Sequence, residues 1–297
     1  MLRPAVTCAL LVSTAAASTN AQRSIDWTQV DHAMGKTGAM QPGDVYRYAF
    51  PRSDLHVTVD GVPLKPALAL GGWVAFKATG DNEAIAMGDL VLRDDEVNPV
   101  MLKLREGGVE QTALHNHLLR ESPTIMYMHI HAQGDPTHIA SAIHAALALT
   151  ATPFTAPPPP APTPGPAPLD TTAIATALGR SGKLNGTVYQ VTVPRSESIQ
   201  MDGMTVPPAM GVATGINIQA VSSDKAVTTG DFVLTAAEVN PVIQALTEHG
   251  IAVTAVHSHM LTEEPRLFFM HFWGNADAVT LARGLRAALD KTNSKGS

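Results

Sequence analysis

The chain has 297 residues, of which 45% are hydrophobic and only 15% charged, and its formal net charge is −6. That apolar content suffices for one large or two modest cores. The acidic excess, with no Lys/Arg run longer than two residues, excludes the clustered cations that hold nucleic acid or an anionic membrane.

The chain opens MLRPAVTCALLVSTAAASTNAQ. A positive Arg3, an apolar stretch over Val6–Ala17 and small residues after it are the anatomy of a secretory signal peptide. We expect residues 1–21 to be removed and the protein to be exported, to the periplasm or beyond the cell. The single cysteine, Cys8, falls inside this leader. The remainder therefore has no thiol for disulfides, metal ligation or nucleophilic catalysis. No other stretch approaches the 18 apolar residues of a transmembrane helix.

The next division is PFTAPPPPAPTPGPAP at 153–168. So much proline cannot continue a helix or a sheet ladder and reads as a stiff spacer. It separates a first domain, 22–152, from a second, 169–297. These two are copies. Gly88–His131 and Gly230–Trp273 align without a gap, and 21 of the 44 paired positions are identical. VYRYAFPRSD at 45–54 and VYQVTVPRSE at 188–197 extend the match upstream. A unit this long is a duplicated domain and not a solenoid repeat.

Within each copy the pattern predicts a short helix (WTQVDHAMG; TTAIATALG), then a strand ending in Pro-Arg. Arg52 and Arg195 there either clamp an anionic ligand or pair with nearby carboxylates. An apolar strand follows. Gly88-Asp89 and Gly230-Asp231 read as a turn or bulge leading into the next strand. Asn98-Pro99 and Asn240-Pro241 read as N-cap and first position of a helix. Thr235 and Glu238 also have capping-box spacing. Glu96 and Glu238 stay available as partners of histidine ligands. Two strands and an amphipathic helix (Ile139, Ile143, Leu147; Leu281, Leu285, Leu289) complete the copy. This β-α-β-β-α tail predicts an α+β fold, an antiparallel sheet with helices on one face, made twice. The two copies are expected to pack as a pseudo-dimer.

The chemistry concentrates in the last two strands: LHNHLLRESPTIMYMH at 114–129 and VHSHMLTEEPRLFFMH at 256–271. Side chains alternate across a strand, so His115 and His117 share a face. A hairpin symmetric about Pro123 sets His117 opposite His129 and His115 opposite His131, with Glu121 on the same parity. In the second copy His257, His259, Glu263 and His271 gather likewise, and Trp273 stands where His131 does. Leu114, Leu118, Met126, Met128 and Ile130 form the oily reverse face. Imidazoles with a carboxylate suit a divalent transition metal, zinc first, with manganese, iron, copper or nickel also accepting such donors. The expected ligands are His115, His117, Glu121, His129 and His131 in one copy and His257, His259, Glu263 and His271 in the other. Glu121 and Glu263 are the candidates for a catalytic base where they do not ligate.

With GDLVL…EVNPV and GDFVL…EVNPV before them, the segments HNHLLRESP…MYMH and HSHMLTEEPRLFFMHFWG resemble the LppY/LpqO family of secreted bacterial proteins and lipoproteins, a domain-of-unknown-function family. The resemblance covers nearly the whole mature chain. It implies an exported two-repeat bacterial protein and no particular reaction. Three functional classes follow: a metal-binding protein without catalysis, a metal-dependent hydrolase or oxidoreductase, and a metal-free module for a cell-envelope component, a carbohydrate or another small molecule.

Overall fold

The computed structural model describes residues 24–155 and 168–296. The leader and most of the proline-rich segment lie outside these residues. The first copy contains α1 (Trp27–Met34), β1 (Ala39–Gln41), β2 (Val45–Pro51), β3 (Thr58–Val59), β4 (Val62–Pro63), α2 (Pro66–Ala69), β5 (Gly71–Gly80), β6 (Glu83–Arg93), α3 (Asp94–Glu106), β7 (Glu110–His115), β8 (Glu121–Ser122), β9 (Ile125–Gly134) and α4 (Pro136–Leu147). The second contains α5 (Thr171–Leu178), β10 (Lys183–Asn185), β11 (Val188–Pro194), β12 (Gln200–Met201), β13 (Met204–Thr205), β14 (Ala213–Ala220), β15 (Ala226–Leu234), α6 (Ala236–Glu248), β16 (Ala252–His257), β17 (Phe268–Ala276) and α7 (Ala278–Leu289).

Each copy builds one six-stranded antiparallel sheet, in the order β1-β2-β5-β6-β9-β7 and β10-β11-β14-β15-β17-β16. Helices cover one face. Along β9, Met128, Ile130 and Ala132 point toward α3 and α4 and join Val100, Leu104, Ile139, Ile143 and Leu147 in a buried cluster. Met270, Phe272, Leu281, Leu285 and Leu289 do the same in the second copy. Alternation then commits Tyr127, His129 and His131 to the reverse face.

That reverse face meets the other copy. Val45, Ala75, Ile85 and Met87 are buried with Ile199, Met201, Val206 and Met210 of the segment after β11. Reciprocally, Val188, Val227 and Trp273 are buried with Val59, Leu64, Leu68 and Leu118. Each copy thus sends the excursion between its second and third sheet strands over its partner's sheet. Buried polar groups there are paired, as burial requires. Gln219 Nε2 donates to Pro63 O at 2.9 Å and Asn217 Nδ2 to Leu68 O at 2.9 Å. The Arg47 guanidinium donates to Ala209 O, as Gln190 Nε2 does to Ala67 O in the matching place. The two copies form the expected pseudo-dimer within one chain.

Three local expectations are corrected. The hairpin is not symmetric about Pro123: β7 ends at His115, which pairs with Tyr127, while Ala113 pairs with His129 and Glu110 with His131. An irregularity between Gln111 and Ala113 shifts the register, as an inserted residue does. Gly88-Asp89 and Gly230-Asp231 are not turns but lie inside β6 and β15. Glycine is needed there because a Cβ on Gly88 would lie 2.8 Å from Trp73 O, and one on Gly230 2.0 Å from Gly215 O. Finally, α3 and α6 begin at Asp94 and Ala236, so Asn98-Pro99 and Asn240-Pro241 lie inside them and not at their starts. The Glu238 carboxylate caps the Thr235 N–H at 2.7 Å and Glu96 caps the Arg93 N–H at 2.9 Å.

Candidate metal centre

The reverse face of each sheet brings its histidines to the seam between copies. His115 and His257 meet with ring centroids 3.7 Å apart and planes tilted by 39°. On one side of this pair His117 lies on His271 at 3.7 Å, and on the other His129 lies on His259 at 3.5 Å. These two contacts exchange when the copies exchange, since 117 matches 259 and 129 matches 271. The backbone reinforces the symmetry. Thr112 Oγ1 donates to His259 O and Thr254 Oγ1 to His117 O, each at 2.6 Å. Tyr127 backs His117 at 3.3 Å and Phe269 backs His259 at 3.6 Å. Six histidines that the sequence assigns to two sites therefore form one cluster.

Four of them, His115, His257, His259 and His271, each offer a nitrogen such that all four nitrogens lie within 4.8 Å of one another. His271 Nδ1 is engaged by Gly230 O at 2.9 Å, leaving Nε2. Among the described residues, buried ring nitrogens of His115, His129, His257, His259 and His271 have no hydrogen-bond partner. Burial holds all six imidazoles below the ordinary histidine range, to about 4 for His257 and about 3 for His271, and neighbouring histidines depress most of them further. Burial thus favours the neutral ring, the form in which imidazole ligates.

Two carboxylates not singled out as ligands from the sequence lie beside the rings. Asp89 Oδ1 is 3.6 Å from His129 Nε2 and Oδ2 is 3.9 Å from His117 Nε2, while Asp231 Oδ2 is 4.0 Å from His259 Nδ1. Burial raises Asp89 to about 8, partly opposed by Arg47. Burial and the nearby Asp89 raise Asp231 well above the carboxylate range. One oxygen of each has no hydrogen-bond partner among the described residues. The signal for them was available: Gly-Asp is retained in both copies inside an otherwise apolar strand.

The remaining expected residues lie apart from this set. Glu121 Oε1 accepts from Ile125 N at 3.0 Å and Glu263 Oε1 from Leu267 N at 2.9 Å. Both brace the turn after the second histidine, and Arg266 adds an ion pair to Glu263. Among the described residues neither approaches a histidine nitrogen within ion-pair distance. Burial lifts Glu121 to about 7. His131 points the other way, to Asp202 at 2.9 Å and Glu110 at 3.6 Å. Arg52 and Arg195 clamp no anion from solution. Each is buried on a carbonyl and two carboxylates, Val91 O, Glu96 and Asp54 in one copy and Val233 O, Glu238 and Glu197 in the other.

No curated protein matches the chain. Among solved structures it is similar to the trimeric bacterial microcompartment shell protein PduB, at 14% identity over 86% of this chain and 91% of that one, with a TM-score of 0.24. It is also similar to EtuB from Clostridium kluyveri, at 10% identity over 86% and 90%, with a TM-score of 0.21. Likenesses this distant carry no functional weight. The profile of one family matches both copies, over 28–149 and 172–291. The chain belongs to the family described as Domain of Unknown Function (DUF1259), which it carries as a tandem pair.

Proposed function

We propose that this protein binds a divalent transition metal in a single composite centre at the seam of its two copies, with His115, His257, His259 and His271 as the nearest donors. The observation that carries the reading is the concentration of unpartnered, buried, neutral imidazole nitrogens at one point, beside two buried carboxylates. Buried polar atoms are nearly always paired, and a cluster of exceptions calls for a ligand. A cation would satisfy the nitrogens and offset the burial of Asp89 and Asp231 together. A nitrogen-rich set suits zinc first, and also copper or nickel; it does not suit magnesium or calcium, which take oxygen.

Four protein donors close a tetrahedral shell, which favours holding a metal over metal-dependent hydrolysis or oxidation. The setting we propose is outside the cytoplasm, after removal of residues 1–21, as for the LppY/LpqO proteins that the HSHMLTEEPRLFFMHFWG segment resembles. The test is elemental analysis and zinc titration of the purified protein beside His257→Ala and His115→Ala. We expect one tightly held ion per chain, lost in either variant. Two equal ions per chain, each lost with one copy's histidines alone, would replace the composite centre by two separate ones. An ion-free protein that binds no added zinc, copper or nickel would end the metal reading.

A further inference from the structure

The seam is symmetric at its middle and asymmetric at its two flanks. On the flank of His129 and His259 a cavity of about 110 Å³ opens. Its inner end is lined by these two histidines, each 5% exposed and each with an unpartnered Nε2. Its walls carry three methionines, Met87, Met201 and Met260. Its mouth carries Glu110 and Asp202, with His131 held between them.

The other flank supplies an internal control, because each position has a counterpart in the other copy. The three methionines are matched by Thr229, Val59 and Leu118, Glu110 by Ala252, and His131 by Trp273. Trp273 is buried in one apolar cluster with Val59 and Leu118. Thr262 at the cavity is matched by Arg120, whose guanidinium closes on Asp60, the counterpart of Asp202, at 2.8 Å. One flank is thus plugged by indole and an ion pair. The other keeps acids, an imidazole and thioethers along a path to unpartnered nitrogens.

We infer that the Glu110–His131–Asp202 cavity is the port through which a transition-metal ion reaches and leaves the histidine cluster. The inference rests on the metal reading above. Carboxylates at a mouth raise the local cation concentration and speed capture. An imidazole and soft thioether sulfurs then offer successive weak donors to a borderline or soft ion such as zinc or copper. An anionic small molecule would meet like charge at the mouth.

The test is stopped-flow uptake of zinc by the metal-free full chain, followed with a competing chromophoric chelator, together with equilibrium stoichiometry and affinity. Three variants are compared with the native chain: Asp202→Asn, which weakens the mouth; Thr262→Arg, which copies the plug of the other flank; and Glu248→Gln, which removes an exposed charge elsewhere. We expect Asp202→Asn and Thr262→Arg to slow both uptake and release about tenfold or more, at unchanged stoichiometry and with affinity kept within about threefold. Glu248→Gln should leave the rates as they are. Native rates in both cavity variants would overturn the port while leaving the metal centre standing. A matched loss of affinity and stoichiometry would also overturn it, by making the cavity residues ligands. A native chain that takes up no zinc or copper would end the metal reading, and the port with it. Melting curves for each variant separate slow uptake from misfolding.

Discussion

The two copies of the domain agree at the centre of the seam and differ at its two flanks. His115, His117 and His129 recur as His257, His259 and His271, and Thr112 and Thr254 make the same bond across the seam. One strand step outward, His131 has become Trp273, and Glu110 has become Ala252. Residues at the seam are constrained twice, because each must fit both its own sheet and its image across the pseudo-twofold. At the flanks the two copies part: Trp273 is buried with Val59 and Leu118 on one side, while His131 pairs with Asp202 on the other. The difference separates a shared centre, the histidine cluster that both copies complete, from one sealed flank and one open flank.

The strongest way to break this comparison is acid. A histidine whose folded pKa is depressed leaves the protein stable above its ordinary pKa of about 6.5 and costs stability below it, because the unfolded chain takes up protons that the fold refuses. His257 and His271 titrate in the fold only near 4 and 3, so metal-free protein should lose stability steadily from about pH 6.5 down to those values. Asp89 works oppositely. Its folded pKa of about 8 makes the fold less stable as pH rises from the ordinary aspartate value of about 3.9 through 8. With six lowered imidazoles against three raised carboxylates, Asp89, Asp231 and Glu121, metal-free protein should be most stable near pH 6.5. Since the cluster belongs to both copies, denaturant curves in acid should show one transition. Two separated transitions would show that the copies fold independently and that the seam is incidental.

Next in size are the matched buried arginines. Arg52→Ala and Arg195→Ala each strand a carboxylate that caps a helix, Glu96 or Glu238. Removing one partner of a buried pair costs about 3–5 kcal/mol. Glu238 also accepts from the Asn293 N–H, and among the described residues Glu96 has no counterpart to that bond. The second copy should therefore be the less damaged, with the smaller fall in denaturation midpoint.

The sequence carried the parity of the strands well. Alternation along β9 separated Met128 and Ile130 from His129 and His131 before any fold was known, and the helices took the side with the methionine and isoleucine. Register was not legible, because an irregularity at Gln111–Ala113 depends on how β7 meets β9 and leaves no compositional mark. Nor was the merger of two sites into one. Periodicity says which face of a sheet is special but not what covers it, so the contact of His129 with His259 waits on how the copies dock. Asp89 and Asp231 were hidden by their glycines: Gly-Asp signals a turn in isolation, and only the close approach of Trp73 O and Gly215 O explains glycine inside a strand. Glu121 and Glu263 show the converse. Their spacing from the histidines suggests ligation, yet the turn after the second histidine uses them to hold its own backbone.

Two smaller comparisons sharpen the symmetry. Gly88→Ala and Gly230→Ala both overfill a strand interface, which costs about 1–3 kcal/mol. Gly230 should be the worse, since its new methyl would meet backbone at 2.0 Å against 2.8 Å for Gly88. Equal losses of thermal stability would mean that the sheets relax differently from one another. The smallest expected effect belongs to the seam bonds. Thr112→Val and Thr254→Val each remove one hydroxyl donor from a carbonyl, His259 O or His117 O, and a neutral hydrogen bond contributes about 1 kcal/mol. The pseudo-twofold makes the two losses equal, and because each hydroxyl has its own acceptor the double variant should lose about their sum. Urea midpoints at constant slope check this. Unequal single losses would locate a break in the symmetry at the seam itself, where none is expected, and would move the asymmetry of this protein from its flanks to its centre.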